Sequence, residues 1–174
     1  MSRALLVRDP LLISRQQILD EKILTEEEFN FIESAVMRLF EYGQSVASDR
    51  GLILVDTKYE FGKNNNGDIL LIDEIHTPDS SRFFYKDSYN ELQLTGSPQK
   101  QLSKEFVRQW LIKNNFQGKQ GQIVPKMSDK YIKSVSERYM ELYEKITGLK
   151  FIKSDISEIN ERILNNVEHY FNSI

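Results

Sequence analysis

The spacing of apolar residues changes character twice along the chain. From Thr25 onward, Phe29, Ile32, Val36, Leu39 and Val46 recur at helical intervals, which predicts a helix with one apolar face. Thr25 and Glu28 have the spacing of a capping box, in which each side chain satisfies the other's free backbone N–H. This helix is expected to run to about Asp49 and stop at Gly51. Ser14 is placed to cap a shorter helix ending at Asp20. After Gly51 the pattern becomes strand-like. Gly51 to Val55 is a short apolar run, and Asp56 to Phe61 alternates, with Asp56, Lys58 and Glu60 on one face and Thr57, Tyr59 and Phe61 on the other. Lys63-Asn-Asn-Asn-Gly67 reads as a turn with Asn66-Gly67 as a two-residue hairpin loop. Ile69 to Ile75 is then the returning strand, and His76 to Tyr85, punctuated by Pro78, a loop.

The helical period resumes beyond that. Ser103 or a neighbour opens a helix through Phe106, Val107, Trp110 and Leu111. Residues 115–126 read as a loop, and Ser128 caps a long helix through Ile132, Val135, Tyr139, Leu142 and Ile146 that ends at Gly148. A last helix spans 155–171. The expected fold class is α+β, an antiparallel hairpin within a larger sheet packed by helices. Residues 1–13 are expected to be irregular and 14–174 to form a single domain.

Composition narrows the chemistry. With 40% hydrophobic and 28% charged residues and a net charge of −3 over 174 residues, the chain has the makeup of a globular protein. No apolar stretch is long enough for a membrane helix. There is no cysteine, so disulfides, thiolate metal sites and cysteine nucleophiles are excluded. His76 and His169 are the only histidines and lie far apart, which argues against a histidine zinc site, and against a Ser-His-Asp triad unless His76 serves it. The acidic balance argues against a nucleic-acid partner. Lys126, Lys130 and Lys133 cluster, as a solvated helix face would have them. Neither phosphate-binding glycine motif occurs. The reducing cytoplasm is the expected compartment.

The hairpin concentrates the remaining chemistry. A two-residue Asn66-Gly67 loop pairs Gly62 with Leu71 and Glu60 with Asp73, setting two carboxylates about 5 Å apart. Like charges at that spacing are tolerated through solvent exposure, a raised pKa or a bound cation. Lys58 and Asp56 share the face. The strands flanking them, GLILV and ILLI, are apolar enough to be central. The following loop adds Ser80, Ser81 and Arg82, whose hydroxyls and guanidinium suit a phosphate, although local turn hydrogen bonds would also account for the serines and Asp79. A carboxylate pair for Mg²⁺ beside an anion cradle points to phosphate chemistry.

These segments carry a resemblance. GLILVDTKYEFG (Gly51 to Gly62), LIDEIHTPDSSRFF (Leu71 to Phe84) and KEFVRQWL (Lys104 to Leu111) closely resemble the SAICAR synthetase family, the phosphoribosylaminoimidazole-succinocarboxamide synthases, over about Ser14 to Phe151. The resemblance implies a cytoplasmic ATP-dependent ligase of de novo purine biosynthesis. In such enzymes ATP activates the carboxylate of carboxyaminoimidazole ribonucleotide, and the amine of L-aspartate then attacks. Carried over by motif, Glu60 and Asp73 are the expected ligands of the nucleotide-bound Mg²⁺, and Lys58 the contact to reacting phosphate or carboxylate, the three forming the expected catalytic and cofactor-binding set. Arg82, with Ser80 or Ser81, is expected at the ribose phosphate, Asp56 organises that pocket, and Lys104 and Arg108 are assigned to substrate anions. Trp110 reads as helix core.

The resemblance also implies parts this sequence lacks: an upstream lobe over the adenine and phosphates, a substrate-binding signature with an Arg and a Gly-Ser step, and a Thr- and Lys-containing segment before Ser14. The resulting expectation is that the chain supplies the C-terminal part of the site. It would show little turnover unless a separate lobe completes it or the protein is longer. The competing expectation is a non-catalytic truncated paralogue, a nucleotide-binding or assembly module such as a homo-oligomer formed through the long helices. A nuclease using the carboxylate pair is disfavoured by the acidic surface.

Overall fold

The computed structural model describes residues 12–173; most of the 1–13 segment expected to be irregular lies outside them. Two helices come first, α1 (Arg15–Asp20) and α2 (Glu26–Asp49). Both start at capping boxes, Ser14 with Gln17 and Thr25 with Glu28, so local hydrogen bonding sets both starts. Gly51, with φ 70°, turns the chain out of α2 into β1 (Leu52–Thr57).

β1 does not continue into the hairpin. After a gap at Lys58 and Tyr59, β2 (Glu60–Lys63) pairs only with β3 (Ile69–Ile72). The partner of β1 is β4 (Ser81–Tyr85), antiparallel, and β4 also pairs with β5 (Gln101–Leu102). The sheet that holds the molecule together is therefore β1-β4-β5, and the hairpin is a separate two-stranded sheet. The segment read as a loop over His76 to Tyr85 thus ends in the central strand. Ser81 and Phe83 point inward and are buried while Arg82 points out, a period of two that the adjacent Phe84 obscures in the sequence. The run ILLI is not central either: Leu70, Leu71 and Ile72 are 37–49% exposed.

The core is one face of this sheet. Leu52 and Leu54 of β1, Phe83 of β4 and Leu102 of β5 are at most 1% exposed. Ala47 of α2 closes over them, as does Leu142 of α5 (Asp129–Thr147). Full burial of a Leu or Phe side chain contributes about 1.5–3 kcal/mol, so these residues anchor the sheet. The remaining elements are α3 (Lys86–Leu94), α4 (Glu105–Lys113) and α6 (Ile159–Phe171). α5 is capped by Ser128 and ends at Gly148 in the left-handed conformation, as its sequence signals require. Lys126, Lys130 and Lys133 are exposed. Trp110 is half-buried on α4 and stacks on Tyr131 of α5 at 4.9 Å.

Candidate functional site

The hairpin loop is one residue longer than expected, and this changes which residues face each other. Asn64 Oδ1 accepts the backbone N–H groups of Asn66 and Asp68, both at 2.9 Å. The Gly67 N–H donates to Asn64 O at 3.1 Å with Gly67 at φ 88°. Asn64 N donates to Asp68 O at 3.0 Å. Asn64 and Asp68 therefore close a three-residue loop, a turn followed by a left-handed glycine. Glu60 pairs with Ile72 and Gly62 with Leu70, so Glu60 is not opposite Asp73.

Asp73 reaches the site by another route. It lies just past the end of β3 with φ 65°. Lys58, in the gap before β2, ion-pairs with Glu60, and its Nζ lies 3.7 Å from Asp73 Oδ2. One ammonium thus sits between the two carboxylates. All three side chains are about half exposed, at 62%, 45% and 47%. The Glu60 carboxylate holds the Lys58 ammonium above its ordinary pKa by hydrogen bonding, with the charges of Glu60 and Asp73 adding to it.

A second charged group stands on the central sheet. Asp56 and Arg82 are register partners across β1 and β4, beside the irregularity at Val55. Arg82 Nε donates to both carboxylate oxygens of Asp56 at 3.0 and 2.9 Å. These hydrogen bonds hold the Asp56 carboxyl below its ordinary range, and the guanidinium charge acts in the same direction. Glu105 at the start of α4 contributes to the field at Arg82. The loop between β3 and β4 is built locally. Thr77 N donates to Ser80 Oγ, and Ser80 N to Thr77 Oγ1, each at 3.2 Å, and Thr77 Oγ1 donates to Glu74 at 2.5 Å. Ser81 is 3% exposed, with its hydroxyl 2.8 Å from Thr57 Oγ1 and 3.2 Å from Ser80 Oγ. Ser81 therefore supports the loop from beneath and presents no donor outward.

Two backbone bonds tie these parts together. Lys58 N donates to Ser80 O at 3.2 Å, and Lys104 N to Pro78 O at 3.0 Å. The ammonium of Lys104 lies 3.3 Å from Asp79 Oδ2. Arg108, one turn further along α4, is 72% exposed and 3.5 Å from Glu105. The structure thus gathers Lys58, Glu60 and Asp73 in one cluster and pairs Asp56 with Arg82 in another, while the Ser80 hydroxyl bonds within the loop between β3 and β4, on which Lys104 is docked. Arg108 projects into solvent. A groove of about 640 Å³ between α2 and the hairpin is lined by Phe31, Leu39, Tyr42, Phe61 and Leu71, and none of these charged residues opens into it.

Sequence reasoning overlooked a third group. Tyr59 Oη and His76 Nε2 are 2.6 Å apart, and the His76 ring lies over Gly43, the buried glycine of α2. Its one sequence signal is a glycine within a long helical pattern, which calls for a packing reason.

The described residues contain no group of three or more His, Asp or Glu able to cage a metal. No described helix is long and apolar enough to cross a membrane.

Comparison with known proteins supplies the family. Residues 3–125 match the family model for SAICAR synthetase. The phosphoribosylaminoimidazole-succinocarboxamide synthase of Flavobacterium psychrophilum is 58% identical over 158 residues, and that of Bacteroides thetaiotaomicron 57%. Each alignment covers 91% of this chain and 50% of the relative, so the chain spans about half the length of the curated relatives it matches. Among solved structures, a SAICAR synthase from Saccharomyces cerevisiae complexed with SAICAR superposes with a TM-score of 0.59 at 33% identity, covering 74% of this chain and 41% of that one. A type-2 SAICAR synthetase in complex with ADP gives 0.53 at 30%, covering 77% and 44%. On the family match and these identities, the chain belongs to the SAICAR synthetase family.

Proposed function

We propose that this chain supplies part of the site of an ATP-dependent carbon–nitrogen ligase joining L-aspartate to carboxyaminoimidazole ribonucleotide to form SAICAR, in the cytoplasm. The observation that carries this reading is the Lys58 ammonium held between Glu60 and Asp73, one loop from the Asp56–Arg82 pair. The named relatives are synthases of this product, and one solved relative holds ADP.

The donor set fits Mg²⁺ shared with a nucleotide. Mg²⁺ takes one or two carboxylates and completes its octahedron with water and phosphate oxygens, without a protein cage. Glu60 and Asp73 are such a pair, and the Lys58 ammonium between them supports a positive charge at that place. Bound there, the ion would neutralise charge on the phosphate oxygens during transfer. Lys58, displaced from the carboxylates, would turn its ammonium to the transferring phosphoryl group or the substrate carboxylate. Arg82 uses Nε and one terminal nitrogen on Asp56, which leaves its other N–H groups for a ribose phosphate. Ser80 would add a hydroxyl to that phosphate by giving up a bond within its own loop, and Asp56 sets the plane of the guanidinium. Lys104 would join the same anion by exchanging Asp79 for it, with Arg108 extending the positive edge along α4.

Mixing the chain with the half of the Flavobacterium psychrophilum relative that it does not cover tests the proposal. ATP, Mg²⁺, carboxyaminoimidazole ribonucleotide and L-aspartate are supplied and succinocarboxamide formation is followed. Turnover that disappears with Glu60→Gln or Asp73→Asn is expected. Persistent inactivity of the mixture, with the intact relative active in parallel, overturns the reading.

A further inference from the structure

Neither side of the Lys58–Glu60–Asp73 cluster is fully held by strand pairing. Lys58 and Tyr59 lie in the gap between β1 and β2, and Asp73 lies beyond the last residue of β3. Asp73 and His76 both adopt left-handed backbone conformations, at φ 65° and 53°, which side chains with a Cβ seldom occupy unless surrounding contacts hold them there. Besides the Glu60–Ile72 strand pair, the Lys58–Asp73 ion pair and the Lys58 N–Ser80 O bond, the side chains of Tyr59 and His76 also join the two sides. Tyr59 stands between Lys58 and Glu60 in sequence, and His76 follows Asp73 by three residues of irregular chain. Their polar atoms are 2.6 Å apart and their rings meet edge-on at 5.6 Å.

The His76 ring needs a specific notch. A Cβ on Gly43 would lie 2.8 Å from both ring nitrogens, closer than packed atoms approach, so only glycine leaves room for the ring against α2. Tyr59 and His76 are both half-buried. Three segments far apart in sequence thus converge on one hydrogen bond.

We propose that Tyr59 and His76, seated in the notch at Gly43, are positioning residues that hold the Lys58–Glu60 segment against the Asp73 turn and so set the separation of the two carboxylates. They act through Glu60 and Asp73 and touch no reacting atom. The proposal rests on the cation reading of those carboxylates, because a divalent ion is shared only where both carboxylates reach it. Outer partners that orient metal-binding carboxylates typically change metal affinity by about 10–100-fold when lost.

The test uses the full chain, with Mn²⁺ alone as the probe followed by water-proton relaxation, and the ¹³Cα shift of Asp73 read in the same samples by NMR. Tyr59→Phe removes one hydroxyl and leaves the packing. It is expected to weaken Mn²⁺ binding roughly 10-fold or more and to move the Asp73 shift away from its left-handed value. His76→Gln keeps a hydrogen-bonding group for the hydroxyl and is expected to stay near the wild type in both readouts. Wild-type Mn²⁺ affinity and an unmoved Asp73 shift in Tyr59→Phe overturn the proposal, even if its unfolding midpoint falls. Failure of the wild-type chain to bind Mn²⁺ in a manner sensitive to Glu60→Gln sinks the cation reading instead. The Asp73 shift in Tyr59→Phe then decides the positioning role by itself.

Discussion

Arg82 grips Asp56 across the central sheet, with Nε 3.0 and 2.9 Å from the two carboxylate oxygens. The pair follows from strand register, since Asp56 of β1 and Arg82 of β4 are direct partners. It keeps the guanidinium aimed while nearly half of each side chain stays in solvent, at 47% and 46% exposure. Such a pair aims a side chain more than it stabilises a fold, because solvent screens most of its Coulomb energy.

That relationship has a pH signature. The Asp56 carboxyl is depressed below its ordinary range by the Arg82 hydrogen bonds. Its stabilisation is therefore complete above the unfolded-state pKa of about 3.9 and is lost as pH falls through the lower folded value. Asp56→Asn is expected to cost about 0.5–1 kcal/mol at pH 7 after allowance for screening. Urea midpoints of the two proteins should converge below about pH 4. A gap that persists undiminished at pH 2 contradicts this.

Gly43→Ala should destabilise the chain although alanine is the better helix former. The added methyl meets the His76 ring, and overpacking of this kind costs roughly 1–3 kcal/mol. His76→Ala empties the space, so the double variant should recover part of the loss relative to the sum of the singles. Strict additivity in chemical denaturation would show that the two positions do not touch.

Ser81→Ala removes a buried hydroxyl that meets Thr57 and Ser80. An orphaned buried partner costs about 1–3 kcal/mol. The loss should appear in the unfolding midpoint. Ser80→Ala also removes the acceptor of the Thr77 N–H, so it should lower the midpoint too and, once the site is completed, weaken binding of a phosphate ligand as Ser81→Ala does not.

Gly67→Ala forces a Cβ into φ 88° at the hairpin loop. Strain of about 1–2 kcal/mol is expected, with the nuclear Overhauser contacts between β2 and β3 weakened or shifted. Contacts joining Glu60 to Ile72 and Gly62 to Leu70 in the wild type report the register directly.

Local interactions were legible in the residues. Ser14, Thr25 and Ser128 cap helices through side-chain bonds to backbone three residues away, and Gly51 and Gly148 end helices because they adopt left-handed φ. These features involve neighbours in sequence, so their energies are decided before the chain folds. The α+β class and the residues of both charged clusters were legible too. The loop length was not. Asn66-Gly67 suits a two-residue turn, but Asn64 captures the N–H groups of Asn66 and Asp68 and shifts the register by one, which reverses which side chains face each other.

What the sequence determined by itself is therefore the capped starts of α1, α2 and α5 and the glycine stops of α2 and α5, the family, and the chemical groups on offer; α3 (Lys86–Leu94) carried no such signal, and α6 begins at Ile159 rather than at 155. Tertiary structure decided that β4 rather than the hairpin completes the sheet, because Phe83 buries against Leu54 only when these distant strands meet. It also brought Asp73 to Lys58 from beyond a strand end, and placed His76 over a glycine of α2. Each of these depends on the shape of surfaces far apart along the chain, and contacts of that kind have no local energy for a residue pattern to record.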